Sequence, residues 1–324
     1  MPVSPLERLD PLIVSPAARS KRMLVITNPF ATTMSDRLKH LVHHALQGRY
    51  EVEAVDTQRR GHATQLSRDA AADGFDVVVA FGGDGTVNEV ANGLVGSQTP
   101  LAVLPGGATN VYCRMLGVPG DVVDATEHLL DLADDFRPRA VDVASVNGRT
   151  FTFSAGVGLD ASVVRLVDEH PRLKARLGPW YFAQAGVSTF LRHYLIRPPR
   201  LAVRAPNGET LAGVSAFVQN AAPYTYFRKR PVHLVDGAGL DSGEVAGVVL
   251  TRAGPLDIPT VIWRAVSGRA QIARHSKVNA FQGRDLCVVS TDGRPLPVQV
   301  DGDYIGDHTE AVFSVAPGGL RVVA

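Results

Sequence analysis

Cysteine is almost missing: Cys113 and Cys287 are the only two in 324 residues. Two thiols without metal-site spacing make neither a disulfide framework nor a zinc site, and they fit a reducing compartment. Lysine is scarce as well, with five in all: Lys21, Lys39, Lys174, Lys229 and Lys277. The formal net charge is +1, so no overall field draws the chain to nucleic acid. Aromatic residues are 6% of the chain, which with abundant glycine disfavours a coiled coil. The uncharged stretch Leu177–Leu191, bracketed by Arg176 and Arg192, is shorter than the roughly 20 apolar residues a spanning helix needs. The first twenty residues are Pro- and Ser-rich and lack the apolar segment of a secretory signal. We read 1–20 as a disordered tail.

What is present describes a folded protein of two domains. Apolar residues make up 45% and charged residues 20%, and 31 glycines favour a turn-rich α/β or α+β architecture. Charge divides the chain: residues 1–142 carry net −5, 143–300 net +9 and 301–324 net −3. The local pattern changes near Asp142 too, so a boundary is expected there. It separates an α/β domain (21–142) from a second domain (143–324) whose last residues are free to pack back on the first.

In the first region short apolar runs alternate with helical patterns. Strands are predicted at Met23–Thr27, Tyr50–Val55, Phe75–Phe81 and Leu101–Leu104. Phe75–Phe81 (FDVVVAF) is the continuous β-branched run of a central parallel strand. Helices are predicted at Ser35–Leu46, Ala63–Ala72, Gly85–Leu94, Ala108–Leu116 and Asp121–Leu132, the last capped by Asp121. This order implies a doubly wound parallel sheet. The second region instead carries hairpin signals at Asn147-Gly148 and Pro206-Asn207-Gly208. Its strands are predicted at Val141–Val146, Thr150–Ser154, Leu201–Arg204, Leu211–Gln219, Val245–Leu250, Gln271–Phe281, Leu286–Ser290, Val298–Val300 and Ala311–Val315. Helices are predicted at Leu159–Val167 and Lys174–Leu195. This spacing of strands implies an antiparallel sandwich or barrel.

Three turns follow predicted strands of the first domain. They are Thr27–Thr32 with Asn28 and Pro29; Gly82-Gly83-Asp84-Gly85-Thr86; and Pro105–Asn110, with Gly106, Gly107, Ala108 and Thr109. In a parallel sheet all three lie at the carboxyl edge, where ligands bind. Glycines admit a phosphate close to the backbone, and a following helix offers free N–H groups. One such turn is weak evidence, but three on one edge point to a phosphate-bearing ligand. The chain has no G-x-x-x-x-G-K-[ST] and no G-x-G-x-x-G ahead of an acidic strand end, which argues against a P-loop enzyme and a dehydrogenase. Asp84 has two readings: a plain helix N-cap, or a carboxylate placing Mg²⁺ or a sugar hydroxyl.

The run Phe81–Leu94 (FGGDGTVNEVANGL) resembles the nucleotide loop of the diacylglycerol kinase catalytic-domain family, which includes bacterial lipid kinases and relatives of sphingosine kinases. The resemblance continues through Asn28-Pro29, Thr57 with Arg60-Gly61-His62-Ala63, LPGGATN with Arg114 and Leu116–Pro119, FSAGVGLD at Phe153–Asp160, and Val300–Asp303. It implies a lipid kinase dependent on ATP and Mg²⁺, with an α/β domain, an antiparallel β-sandwich domain and a cleft between them. By that analogy Asn28, Pro29, Thr32, Thr57, Gly82 to Thr86, Asn88, Glu89 and Gly106 to Asn110 hold ATP. Asp303 stands where the family usually has the glutamate taken as the base. Asp303, or else Asp301, would take the proton of the lipid hydroxyl, and arginines of the second domain would neutralise the transferring group. Read alone, Asp301-Gly302-Asp303 is a hairpin turn.

Three departures from the family pattern stand out. Ala108 occupies the place of a threonine, with Thr109 one residue later. Asp303 replaces glutamate. The stretch linked to a structural Mg²⁺ aligns with Asp241–Ala246, where Ser242 and Ala246 replace carboxylates and leave Asp241, Glu244 and backbone carbonyls. On the lipid side, Trp180, Tyr181, Phe182, Val187, Phe190 and Leu191 lie near Arg192, His193, Arg197 and Arg200. Tyr224, Tyr226 and Phe227 adjoin Arg228–Arg230. Apolar bodies beside cations suit an anionic membrane, while a buried helix explains 180–191 equally well. No RNA-recognition motif supports nucleic-acid binding. The expectation is a cytoplasmic lipid kinase, peripheral at the inner membrane face, acting on a diacylglycerol-like alcohol, with a homodimer left open. The alternatives are a soluble-metabolite kinase of NAD-kinase type and a non-catalytic nucleotide- or lipid-sensing module.

Overall fold

A computed structural model describes residues 21–31, 34–133, 136–169, 188–189, 194, 198–205, 208–227, 230–255, 257–267 and 272–324. In the first region β1 (Lys21–Thr27), α1 (Asp36–Gln47), β2 (Tyr50–Asp56), α2 (His62–Ala72), β3 (Val77–Gly82), α3 (Asp84–Leu94), β4 (Leu101–Pro105), α4 (Val111–Met115) and α5 (Val122–Asp131) follow in turn. The strands are parallel in the order β2-β1-β3-β4. Every residue of β3 and β4 is buried, as helices on both faces require. Ser35 caps α1 by accepting from Leu38 N at 3.3 Å, and Asp121 caps α5 through Val123 N at 2.8 Å. The chain leaves β1 for β2 on one side and returns to β3 on the other. The switch point therefore lies between β1 and β3, above their carboxyl ends.

The second region holds β5 (Arg139–Val146), β6 (Arg149–Phe151), β7 (Ser154–Val157), α6 (Leu159–Asp168), β8 (Leu201–Arg204), β9 (Thr210–Gly213), β10 (Ser215–Gln219), β11 (Thr225–Phe227), β12 (Arg230–Val232), β13 (Val245–Leu250), α7 (Asp257–Ser267), a 3₁₀ turn (Ile272–Arg274), β14 (Val278–Gly283), β15 (Leu286–Ser290), β16 (Leu296–Val300), β17 (Asp303–His308) and β18 (Glu310–Val322). One sheet is antiparallel with the order β14-β13-β10-β7-β16-β17. The other face of the sandwich continues the parallel sheet: the order runs β2-β1-β3-β4-β18-β15-β8-β9, with β5 on β18 and β6 on β5. The 13-residue β18 makes this continuity, pairing with β15 near Phe313 and with β4 at Val322. Val146, Phe151, Val288 and Phe313 pack against Val157, Val218, Val249 and Val298 between the sheets. Phe151 and Phe313 meet edge-to-face with centroids 6.2 Å apart.

Several elements differ from expectation. The helix expected from Ala108 starts at Val111, because Asn110 adopts the left-handed conformation at φ 49°. The strand expected over Leu211–Gln219 is two strands, and they lie in different sheets. Gly213 makes the crossing possible, since a Cβ there would run into the Leu250 carbonyl and Val249. The strand expected from Gln271 begins at Val278. Helix α7 was not foreseen. Most of the helix expected over 174–195 lies outside the described residues.

Candidate active site

The three turns meet. Asn28 N donates to Phe81 O at 3.0 Å, and Gly106 N donates to Gly82 O at 2.8 Å, so the first and third turns both hang on the end of β3. Asn28 Nδ2 lies 3.3 Å from Thr86 Oγ1. A Cβ at Gly107 would come within 2.7 Å of Gly83 Cα, and one at Gly106 within 2.9 Å of Gly82 Cα. The glycines are thus required first by backbone-to-backbone approach. Asn110 closes the third turn on itself: its Oδ1 accepts from Gly107 N at 2.9 Å and its Nδ2 donates to Gly107 O at 2.8 Å. Gly83 caps the eleven-residue α3 without any side-chain acceptor, and Thr86 N bonds back to Gly83 O at 2.9 Å, so no side chain caps the amides of Asp84 and Gly85. That uncapped end, beside the Gly106-Gly107 turn, suits a polyphosphate. Thr57 N donates to Thr27 O at 2.8 Å, at the carboxyl end of β1. Ala108 is exposed and Thr109 half-buried. Thr32 lies outside the described residues.

Asp303 faces this edge from the other domain. A Cβ built on Gly85, in the first turn of α3, would sit 3.5 Å from Asp303 Oδ2. The Arg60 guanidinium stands 3.8 Å from the same oxygen and donates to Tyr304 O at 3.2 Å. Asp301 and Gly302 form the two-residue turn between β16 and β17, both left-handed, with φ 48° and 84°. Asp301 is buried and saturated. Its Oδ2 accepts from Asn88 Nδ2 (2.8 Å), Thr152 N (2.7 Å) and Thr152 Oγ1 (2.8 Å), and its Oδ1 from Phe153 N and Ser154 N, both at 3.0 Å. Burial pushes its carboxyl upward, and these donors pull against that.

Other candidates are engaged in building the edge. Asn88 is fully buried between the domains, bonded to Asp301, to Thr150 O at 2.9 Å and to Arg149 Nη2 at 2.8 Å. Glu89 caps α2, accepting from Gly61 N at 2.8 Å and Ala63 N at 3.2 Å. Asp84 reaches the start of α4, its Oδ1 accepting from Tyr112 N at 3.1 Å. The residue is half-buried but its carboxyl is enclosed. Desolvation lifts the group to about 6, against the pull of the Val111 and Tyr112 amides.

A family model for the diacylglycerol kinase catalytic domain matches residues 22–146, the stretch that carries all three turns. By that match residues 22–146 are similar to the catalytic domain of diacylglycerol kinases. A diacylglycerol kinase of Staphylococcus aureus (strain bovine RF122 / ET3-1) is 27% identical over 302 residues, covering 88% of this chain and 87% of its own. One from Staphylococcus epidermidis (strain ATCC 35984) is 26% identical with the same coverage. Two solved structures from Bacillus anthracis str. Sterne share the fold, with TM-scores of 0.74 and 0.69 at 22% and 19% identity, covering 96% and 95% of this chain and 98% of each of theirs. The second of them is a diacylglycerol kinase.

The stretch that the resemblance aligns with a structural Mg²⁺ site does not fit the ion. Asp241 is exposed, and its Oδ1 is 3.5 Å from a Cβ built on Gly239. Glu244 instead accepts from Gln282 Nε2 at 2.9 Å. Among the described residues no group of three or more His, Cys, Asp or Glu is placed to hold a metal. A hard cation wants several oxygens, and Ser242 and Ala246 supply no carboxylate.

Sequence reasoning missed Gln299, Arg149 and Asn220, and it misplaced Tyr224. Tyr224 was read as a membrane aromatic, but it is buried and donates its hydroxyl to Asp160. Tyr226 is half-buried with the Arg114 guanidinium 4.7 Å from its ring centre. Asn220 Nδ2 donates to Asp142 O and Thr152 O, each at 2.9 Å. Gln299 had a signal: it is the one polar side chain in the fully buried strand β16. The candidates at 180–187, 190–193, 197 and 228–229 lie outside the described residues.

Proposed function

We propose that this protein is an ATP-dependent lipid kinase that transfers the γ-phosphate to the hydroxyl of a diacylglycerol-like lipid. The nucleotide is assigned to the 21–142 domain and the lipid to the 143–324 domain. The reading is carried by one observation: the Asp303 carboxylate stands against Gly85 at the uncapped end of α3, beside the joined glycine turns. In-line transfer needs a hydroxyl and a γ-phosphoryl group brought together between a base and a set of donors. Asp303 accepts the proton as the lipid oxygen bonds to phosphorus, and ADP leaves. The α3 amides and the 106–107 turn hold the phosphates, and Arg60 is placed to neutralise developing charge. Asp301, its oxygens already taken by five donors, holds the turn and does not act as the base. Mg²⁺ bound to the nucleotide would supply shielding of its phosphate charge.

Among the described residues no helix is long and apolar enough to cross a membrane. In this reading the lipid is taken from the cytoplasmic face of a bilayer by peripheral contact. The test is labelled ATP against a panel of dispersed lipid alcohols and NAD, with Asp303→Asn in parallel. The expected result is a labelled lipid, unlabelled NAD, and a turnover loss of about 10²–10⁴ in the variant at unchanged ATP affinity. Labelled NAD would point to a soluble-metabolite kinase. No transfer to anything, with ATP still bound, would point to a sensing module.

A further inference from the structure

The segment Phe153–Asp160 and the Asp303 turn meet in a buried group of polar side chains that the steps above do not use. Asp160 lies in the first turn of α6, and its Oδ2 accepts from both Tyr224 OH and Gln299 Nε2, each at 2.6 Å. Gln299 Nε2 is also 3.1 Å from the Tyr224 hydroxyl. At its other end, Gln299 Oε1 accepts from Gly302 N at 2.9 Å. Gln299 and Tyr224 are 2% and 8% exposed. Gly156 makes the meeting possible, since a Cβ there would collide with Asp160 Oδ2 and crowd Gln299 Nε2.

A primary amide has a donor end and an acceptor end. A carboxylate at one end settles which way the amide faces. Asp160 takes the Gln299 N–H, so the Gln299 oxygen must point at Gly302. Gly302 lies between Asp301 and Asp303 in a turn with both residues left-handed. Asp301 anchors one side of that turn, and Gln299 anchors the other.

We propose that Asp160, Tyr224 and Gln299 form a positioning relay that aims Asp303 across the cleft. None of the three touches substrate. Asp160 and Tyr224 act through the orientation of Gln299, and Gln299 acts through the Gly302 amide. The relay rests on the reading of Asp303 as the base.

The test uses the full chain, ATP and detergent-dispersed dioleoylglycerol. Gln299→Glu keeps an oxygen for Gly302 but sets a second carboxyl against Asp160. It is expected to lower kcat at least about tenfold, as a small misplacement of a reacting group does, with KM for ATP within about twofold. Asp160→Asn combined with Gln299→Glu exchanges amide and carboxylate between the two positions and is expected to recover most of that kcat. Tyr224→Phe, which removes a single hydroxyl, is the milder variant and decides the matter if Gln299→Glu does not fold. Its expected kcat loss is about three- to tenfold at an unchanged KM for ATP. Wild-type kcat in the folded single variants overturns the relay, and so does a loss that appears only as a raised KM for ATP. Asp303→Asn separates the two levels. If it keeps full turnover, the base assignment fails. If it is inactive while the Gln299 and Tyr224 variants keep their kcat, the relay alone fails.

Discussion

Asn88 Nδ2 and Asp301 Oδ2 lie 2.8 Å apart, a bond between residues separated by 213 positions. Asn88 sits on the helix that begins at the glycine turn, and Asp301 begins the turn that carries Asp303. The bond therefore clasps the two halves of the candidate site. Asn88→Ala removes one of the five donors to a buried carboxylate and strands Arg149 as well. It is expected to cost about 1–3 kcal/mol, the penalty for leaving buried polar groups unsatisfied. Urea unfolding checks this, and a midpoint equal to the parent protein's would mean that the clasp contributes nothing.

Asp84 gives a pH signature with a definite sign. Its folded-state carboxyl is raised to about 6 from 3.8, chiefly by desolvation. A raised carboxyl favours the folded state while it is neutral. That contribution is complete below about pH 4 and is lost as pH rises through about 6. Near neutral pH an ionised Asp84 thus burdens the fold by on the order of 2–3 kcal/mol. Asp84→Asn keeps an acceptor for the Tyr112 amide and removes the charge. It is expected to melt at a higher temperature than the parent at pH 7.5, with the difference vanishing near pH 4. A variant that melts lower at pH 7.5 contradicts the burial argument. Kinase turnover is expected to fall in the same variant, the usual exchange at sites that hold destabilised groups.

The first domain was legible because its signals are local. FDVVVAF reads as a doubly covered strand, and Ser35 and Asp121 cap helices as their side chains suggest. The convergence of the turns followed from parallel topology alone. The sandwich was less legible, because a strand pattern does not say which sheet it joins. Leu211–Gln219 reads as one mostly apolar run, yet Gly213 sends its two halves to different sheets. Roles within the GGDGT run were blurred for a similar reason. Asn88 and Glu89 have the composition of ligand contacts, but their partners are Asp301 and the α2 amides, which only tertiary structure brings near. Gln299 was visible as a polar residue in an apolar run, and nothing in the sequence named its partner.

The departures at Asp241–Ala246 carry their own expectation. Asp241 is exposed, and its neighbours Ser242 and Gly243 are bonded to the loop itself and to Asp142. Asp241→Ala is therefore expected to leave the melting temperature within about 2 °C and turnover within about twofold of the parent, as surface substitutions usually do. The dependence of rate on Mg²⁺ should then follow formation of the Mg–ATP complex alone. A tenfold rise in the Mg²⁺ needed by Asp241→Ala, at fixed ATP, would restore a protein-bound ion to this loop.

Gly85 separates a structural reading of the glycine turn from a functional one. It is the second residue of α3 and is not left-handed, so alanine suits its backbone. A Cβ there would stand 3.5 Å from Asp303 Oδ2, ordinary contact with no backbone in the way. Alanine is also the better helix former, by about 1 kcal/mol at an interior position and less in a first turn. Stability alone thus predicts a neutral or slightly favourable change. The methyl group, however, intrudes on the space between the helix end and the carboxylate, where the proposed transfer takes place. Gly85→Ala is expected to melt at or above the parent temperature and to lose at least about tenfold in kcat/KM, because near-attack placement tolerates little displacement. Gly107→Ala is the contrasting case. Its Cβ would meet Gly83 backbone at 2.7 Å, so it should lose stability and ATP binding together. Full turnover in a well-folded Gly85→Ala would take the Gly85–Asp303 gap out of the reaction path.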